Sequence, residues 1–394
     1  MTRLWDKGLP LDQRVLAFTA GEDHLLDARL VPYDILASIA HAEMLAAQAL
    51  ITNKDCEAIC VGLRKLEQGF AVGEWNIRLE DEDVHTALES RLTKLIGPAG
   101  GRLHLGRSRN DQVLTALRLY SLDAIDAVSK SIHGLCQALS ELAAREGNTL
   151  LPGFTHMQQA MPSSVGLWSE GYVEAFEDDD VGLQTSGRRL NKNPLGSAAG
   201  YGTPGLTIDR ELTTEKLGFD QTQLPVTAVQ LSRGKAESTL LFELTLLVQD
   251  LGRLASDLLL FYTQEFAYIK LATEVTTGSS IMPQKRNPDA LELIRASSAT
   301  SQACLEECLM ITAKLPSGYQ RDLQRLKAPL FRSIDLSIEC VDIMSYILKG
   351  LKFSPENIHL DKSINATRET NELVSKEGIP FREAYRRIAE RYKK

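Results

Sequence analysis

The residues best suited to chemistry fall in four polar, glycine-containing segments. Each stands at a helix boundary, where backbone N–H groups are free to bind anions. Thr276 to Asp289 reads TTGSSIMPQKRNPD, with one Gly, two Pro, Lys285 and Arg286, a composition unsuited to a core. Lys285 and Asn287 precede a helix start, so a cation, an amide and free N–H groups gather around a carboxylate. A serine in that field loses its proton more readily than in water. Glu292 follows five residues after Asn287, near enough to orient a histidine. A second segment, GRSRNDQ at 106–112, crowds two Arg with Asn and Gln, which suits carboxylate recognition. Ser108 followed by Asp111 also reads as a capping box with Asp in the Glu position, and both readings stand. In the third, GFTHMQ at 153–158, His156 lies in a turn between helices, flanked by Thr155 and Gln158. A structural hydrogen bond is its commoner use, and acid/base transfer is open to it. The fourth, LPSGYQRDLQRLK at 315–327, offers Tyr319, Gln324 and Lys327 to one end of a ligand.

The elements that must carry these segments read as helices. Apolar residues recur at three and four rather than at two almost everywhere. The run from Asn110 to about Arg145 has no Pro, and Gly147 and Asn148 stop it. At ~1.5 Å per residue it is on the order of 50 Å long. Further long helices are expected from near Pro162 toward Leu190, from Lys235 to Tyr268, from Pro288 to before Pro316, and from about Asp322 to Lys349 with Pro329 as an early kink. Helices of this length cannot bury their apolar stripes alone, so a bundle continuing across subunits is expected. Three regions follow: a small N-terminal domain at 1–107, a long-helix domain at 108–352 and a short C-terminal domain at 353–394.

Composition narrows the class. With 44 basic and 52 acidic residues the chain carries a net charge of −8, which argues against nucleic acid as a partner. Six cysteines in so long a chain do not make a disulfide framework and read as small core hydrophobes in a reducing compartment. No signal peptide and no run of 18 apolar residues is visible, so a cytoplasmic protein without a membrane span is expected. The glycine-rich run 196–205 lacks the GK[ST] of a phosphate-binding loop and reads as a tight turn near the site. The acidic cluster Glu174, Glu177 and Asp178 to Asp180 reads as a solvated helix face, and His85 as a surface or a pocket residue.

With these segments in hand, the chain resembles the argininosuccinate lyases of the fumarase/aspartase superfamily. GSSIMPQKRNPD at 278–289 looks like the superfamily's signature loop, with Gln284-Lys285 as in the lyases. GRSRNDQ, preceded by DEDVH at 81–85, is similar to the lyases' N-terminal motif, and THMQ with LPSGYQRDLQRLK completes the match. The resemblance implies an all-α, three-domain fold whose long central helices form a twenty-helix core in a homotetramer. It implies active sites shared between three subunits, no cofactor or metal, and reversible elimination of fumarate from argininosuccinate to leave arginine. It makes Ser279 and His156 the proton-transfer residues, with Ser279 favoured as base and His156, backed by Glu292, on the leaving-group side. Lys285 and Asn287 hold the aci-carboxylate. Ser108, Arg109, Asn110, Thr155, Gln158, Tyr319, Gln324 and Lys327 complete the expected substrate contacts.

The chain departs from that family in two places. Gly21 stands where the lyases usually carry a substrate-binding Ser, and Leu224 to Lys235 stands in place of the Asn-Ser-x-Asp stretch that precedes their Ser-Asp-Arg-Asp motif. A related elimination with another leaving group, as in adenylosuccinate lyase, fumarase or aspartase, is the competing enzyme reading. A non-catalytic role, as in lens crystallins, is the competing reading of another class, against which Ser279, His156, Lys285 and Asn287 all weigh.

Overall fold

A computed structural model describes residues 12–392. Helices dominate: α1 (Gln13–Ala20), α2 (Asp23–Leu26), α3 (Val31–Ala47), α4 (Asn53–Ala71), α5 (Val84–Ile96), α6 (Arg109–Glu146), α7 (Val165–Leu190), α8 (Arg210–Leu217), α9 (Ala228–Leu231), α10 (Lys235–Tyr262), α11 (Asp289–Thr312), α12 (Lys327–Gly350), α13 (Ala366–Glu377) and α14 (Phe381–Arg391). Short strands pair in twos: β1 (Leu150–Thr155) with β2 (Gln158–Ser164), β3 (Lys192–Asn193) with β4 (Gln221–Thr222), and β5 (Ile269–Lys270) with β6 (Lys352–Phe353). The all-α expectation holds, and α6, with 38 residues, is about 57 Å long.

Three expected boundaries move. Pro162 does not open a helix: it lies in β2 opposite Pro152, and α7 begins at Val165. Two prolines facing each other have no N–H to give, which a lone two-stranded ribbon tolerates. The helix expected to reach Tyr268 ends at Tyr262. Residues Arg321–Leu326 form a 3₁₀ turn, so α12 starts at Lys327 and Pro329 sits in its first turn, where no backbone donor is needed.

The chain divides into two compact units. The first takes the chain up to Ala127, Leu183–Glu243 and Gln302–Ile334. In it α3 packs on α4, α5 and α8. Ala40, Leu119, Leu195, Leu217 and Phe219 close one cluster, with Tyr33 and Leu122 against it. Arg29 lies over the Phe331 ring at 4.6 Å and donates to Tyr120 Oη at 3.0 Å. The stretch Asp23–Ala47 reaches a mean hydropathy of 1.2, long and apolar enough for a membrane span by composition, yet 61% of that window is buried in this packing.

The second unit takes Val128–Gly182, Leu244–Ser301 and Asp335 onward. Its helices bury Leu135, Leu139 and Leu142 of α6, Leu247, Leu251, Leu254 and Leu258 of α10, and Val341, Met344 and Leu348 of α12. Each such leucine is worth roughly 1.5–3 kcal/mol relative to exposure. Trp168 packs on Phe261 and Phe353, and its Nε1, with Tyr172 Oη, donates to Asp257 Oδ2 at 2.9 Å. The acidic face of α7 is not wholly solvated: Asp179 is buried, and Asp180 pairs with His133 at 3.3 Å. Cys136, Cys304, Cys308 and Cys340 are buried and free, while Cys56 and Cys60 are half-buried and free.

Candidate functional site

The first unit holds a charged cavity. It brings together three expected residues of distant segments, Arg109, Tyr319 and Gln324, with the expected Lys327 at its floor. Lys327 is the first residue of α12 and almost wholly buried, with Nζ 2.6 Å from Asp27 Oδ1 and 2.9 Å from Asp23 Oδ2. Burial works against its charge, but the two carboxylates outweigh it and hold the ammonium above the usual lysine range. Burial pushes Asp23 up to about 6, against the pull of Lys327. Gln324 Nε2 donates to Thr19 O at 2.9 Å, and Arg321 Nη2 to the same carbonyl at 2.8 Å, so the 3₁₀ turn is tied to the end of α1.

Arg109 is set by two elements at once. Asp83 caps α5 by accepting from Thr86 N at 2.9 Å, and its other oxygen lies 3.0 Å from Arg109 Nε. Glu82 Oε2 is 3.3 Å from Arg109 Nη1. Burial opposes ionisation of both Asp83 and Arg109, and their mutual attraction outweighs it, so the acid falls and the base rises. Ser108 caps α6 as the sequence suggests: its N–H donates to Asp111 Oδ1 at 2.9 Å, and its Oγ accepts from Asn110 N at 3.3 Å. Asp111 does more than cap. Its Oδ2 also accepts from Gly196 N at 3.0 Å and Ala198 N at 2.8 Å, pinning the glycine-rich turn. Burial raises this carboxyl to about 6 despite those donors.

The cavity includes residues that the sequence reading did not select: Asp23, Asp27, Glu82, Asp83, Arg233 and Arg321. His85, left open between surface and pocket, lines it, with 2% exposure. Its Nδ1 stands 3.1 Å from Asp34 Oδ1, and its Nε2 has no hydrogen-bond partner among the described residues. Burial disfavours the imidazolium, but Asp34, Asp83 and Asp27 outweigh that and raise its pKa. Of the two departures from the family's pattern, the 224–235 stretch reaches this wall, while Gly21 follows Ala20, which lines it. Gly21 ends α1 at φ 53°, a conformation that favours glycine over serine. The 224–235 stretch delivers Arg233, buried, with Nη2 donating to Leu323 O at 3.1 Å.

The second unit carries the other expected residues. Between the paired residues Thr155 and Gln158 of β1 and β2, His156 and Met157 form a two-residue turn with φ of 51° and 60°. Two positive φ values are the signature of a type I′ hairpin turn, and for non-glycine residues each costs about 1–2 kcal/mol. His156 is exposed at this tip. In the signature segment the backbones of Thr277 and Asn287 exchange two hydrogen bonds, at 3.0 and 2.8 Å, closing a loop. Inside it, Ser279 Oγ accepts from Met282 N at 3.2 Å and Ile281 N at 3.4 Å. Two donors on one hydroxyl oxygen stabilise negative charge as it develops there. Asn287 Nδ2 donates to Gly278 O at 3.3 Å, while Lys285 is exposed on the loop and Glu292 on the first turn of α11. Among the described residues no hydrogen bond or ion pair joins His156, Ser279 and Glu292 to one another within the chain.

Comparison with known proteins identifies the family of the chain. The model of a family described as lyase matches residues 10–301. An argininosuccinate lyase of Sorangium cellulosum is 42% identical over 389 residues, 98% of this chain and 90% of that protein. One of Thermotoga neapolitana is 40% identical over 392 residues, 99% and 98% of the two chains. Among solved structures, EDDS lyase in complex with formate superposes with a TM-score of 0.81 at 26% identity, over 97% of this chain and 76% of that one. A class II fumarase of Schistosoma mansoni, at 20% identity and a TM-score of 0.78 over 97% and 93%, shares the fold.

Proposed function

Since the chain belongs to the argininosuccinate lyases, within the lyase family, we propose that its two groups of residues divide the work of one elimination. The enzyme cleaves argininosuccinate to arginine and fumarate. Ser279 takes the proton from the carbon beside a carboxylate. The electrons form the new double bond, the bond from carbon to the guanidino nitrogen breaks, and His156, backed by Glu292, returns a proton to that nitrogen. Lys285, Asn287 and the loop N–H groups hold the aci-carboxylate that forms on the way. The single observation that carries this reading is the pair of backbone donors on Ser279 Oγ, an arrangement that favours a serine able to lose its proton.

The charged cavity supports the substrate assignment. Carboxylates (Asp23, Asp27, Glu82, Asp83) and cations (Lys327, Arg109, Arg233, Arg321) share its wall. Such a lining matches a ligand that carries carboxylates, an ammonium and a guanidinium together. Ser108, Arg109, Asn110, Thr155, Gln158, Tyr319, Gln324 and Lys327 are its contacts in this proposal. The working form is a cytoplasmic homotetramer with a twenty-helix core, each site shared between three subunits. The exposure of Leu167 (64%), Val181 (63%), Leu293 (67%) and Met310 (69%) on α7 and α11 supports it, since helices of a soluble protein cover such side chains.

The test mixes purified protein with argininosuccinate, follows fumarate by ultraviolet absorbance and confirms arginine by amino-acid analysis. Stoichiometric fumarate and arginine are expected, and Ser279→Ala lowers turnover by on the order of 10³-fold or more with the tetramer intact. Turnover at the wild-type level in that variant removes Ser279 from the mechanism.

A further inference from the structure

We propose that Gln159 is a positioning residue for His156, acting by clamping the hairpin that carries it to the chain at 359–361. The inference rests on the proton-transfer role given to His156 above. The tip of that hairpin is energetically unfavourable, since both of its turn residues, His156 and Met157, adopt positive φ without being glycine. A conformation of that kind persists only where the surroundings over-determine it. The tip makes little contribution of its own: His156 and Met157 are exposed, and the only side-chain bond at the turn is from Gln158 Nε2 to the adjacent Met157 O, among the described residues.

The next residue supplies what the tip lacks. Gln159 uses both ends of its amide: Nε2 donates to His359 O at 2.8 Å, and Oε1 accepts from Asp361 N at 2.9 Å. Its anchor is itself ordered, because Asp361 caps the following 3₁₀ turn, Lys362–Asn365, by accepting from Ser363 N at 2.8 Å. The ladder of β1 and β2 slips by one residue here: Gly153 faces Met161 while Phe154 faces Gln159, leaving Ala160 as a bulge. A bulge breaks the transmission of register along a ribbon. The hydrogen bonds of β1 and β2 below it therefore do not by themselves hold the tip, and the clamp at Gln159 lies on the tip side of the bulge. On the other strand, Phe154 stacks edge-on to Phe266 at 6.4 Å, a contact that involves neither His156 nor Met157. Only a side chain with a donor and an acceptor on one planar group can span a carbonyl and an N–H two residues apart in this way.

The experiment compares wild type, Gln159→Leu and Gln159→Glu in the assembled enzyme. It measures kcat and KM for argininosuccinate, the melting temperature, and hydrogen exchange of the amides in 150–164. The leucine variant is expected to lose about tenfold in kcat with KM within twofold and an unchanged melting temperature, while exchange at Thr155 and Gln158 accelerates. Glutamate keeps the acceptor for Asp361 N and loses the donor, so it is expected to fall between the two. A kcat within twofold of wild type in the leucine variant overturns the proposal. So does a loss of kcat that tracks an equal loss of melting temperature, or unchanged exchange at the tip. If wild type releases no fumarate, the proposed function fails instead, and the exchange data still decide whether the clamp exists.

Discussion

Replacing Lys327 by methionine removes one ammonium from beneath two carboxylates and leaves its hydrocarbon stem in place. The three side chains are only 2%, 0% and 13% exposed for Lys327, Asp27 and Asp23, so water screens their charges poorly. At contacts of 2.6 and 2.9 Å and an effective dielectric of about 20, each attraction is about 6 kcal/mol gross, most of it offset by the desolvation of the ions. What the substitution exposes is the uncompensated remainder, about 3–5 kcal/mol when one partner of a buried pair is lost. The loss depends on pH with a definite sign. Asp23 already sits near 6, and Lys327 is what pulls it down, so the variant moves it higher still. A carboxyl whose folded pKa is raised holds its proton better in the folded state, so the penalty is present at pH 8 and relieved as pH falls toward 5. The measurement is the urea midpoint, at matched m-value, for wild type and Lys327→Met at both pH values, repeated with Asp27→Asn added. The double variant is expected to recover a large part of the pH 8 loss. A loss below about 1 kcal/mol at pH 8, or one equal at both pH values, would show that the triad is hydrated and refute the reasoning.

Other outcomes follow from the same geometry. Asp111→Asn removes a carboxyl raised to about 6 from an ordinary 3.8, so the wild-type-minus-variant stability falls as pH rises from 4 to 6.5, by on the order of 3 kcal/mol at most; a flat difference in denaturation midpoints across that range contradicts the burial argument. Gly21→Ser introduces the serine that the family resemblance implies at this position but places a Cβ at φ 53°, so thermal unfolding is expected to show a loss of about 1–3 kcal/mol and the rate with argininosuccinate no gain. The space there is open, the nearest atom to an added Cβ being Phe18 O at 3.9 Å, so equal stability would mean that the backbone relaxes. Arg109→Ala leaves Asp83 and Glu82 facing the cavity without their cation, and a rise in KM for argininosuccinate larger than the fall in kcat is expected from steady-state rates.

Much of this protein is local, and what is local is legible in order along the chain. The period of apolar residues sets α6 from Arg109 to Glu146 almost to the residue, because a helix satisfies its own backbone and needs only a stripe to bury. The cap at Ser108 and Asp111, and the polar loops that carry Ser279, Lys285 and Asn287, depend on neighbours within a few residues and are visible for the same reason. The hairpin of β1 and β2 escaped because Pro162 read as a helix start, and strand pairing depends on a partner rather than on the strand itself. The cavity is the clearest case of what sequence order conceals. Asp23, Asp27 and Arg233 look like ordinary surface charges until folding sets them, with Glu82, Asp83 and His85, around Lys327 and Arg109. Sequence alone settled which residue types and which helices this chain possesses. Tertiary packing alone settled which charges lose most of their water together, and Coulomb attraction at that low exposure turns scattered acids and bases into a site.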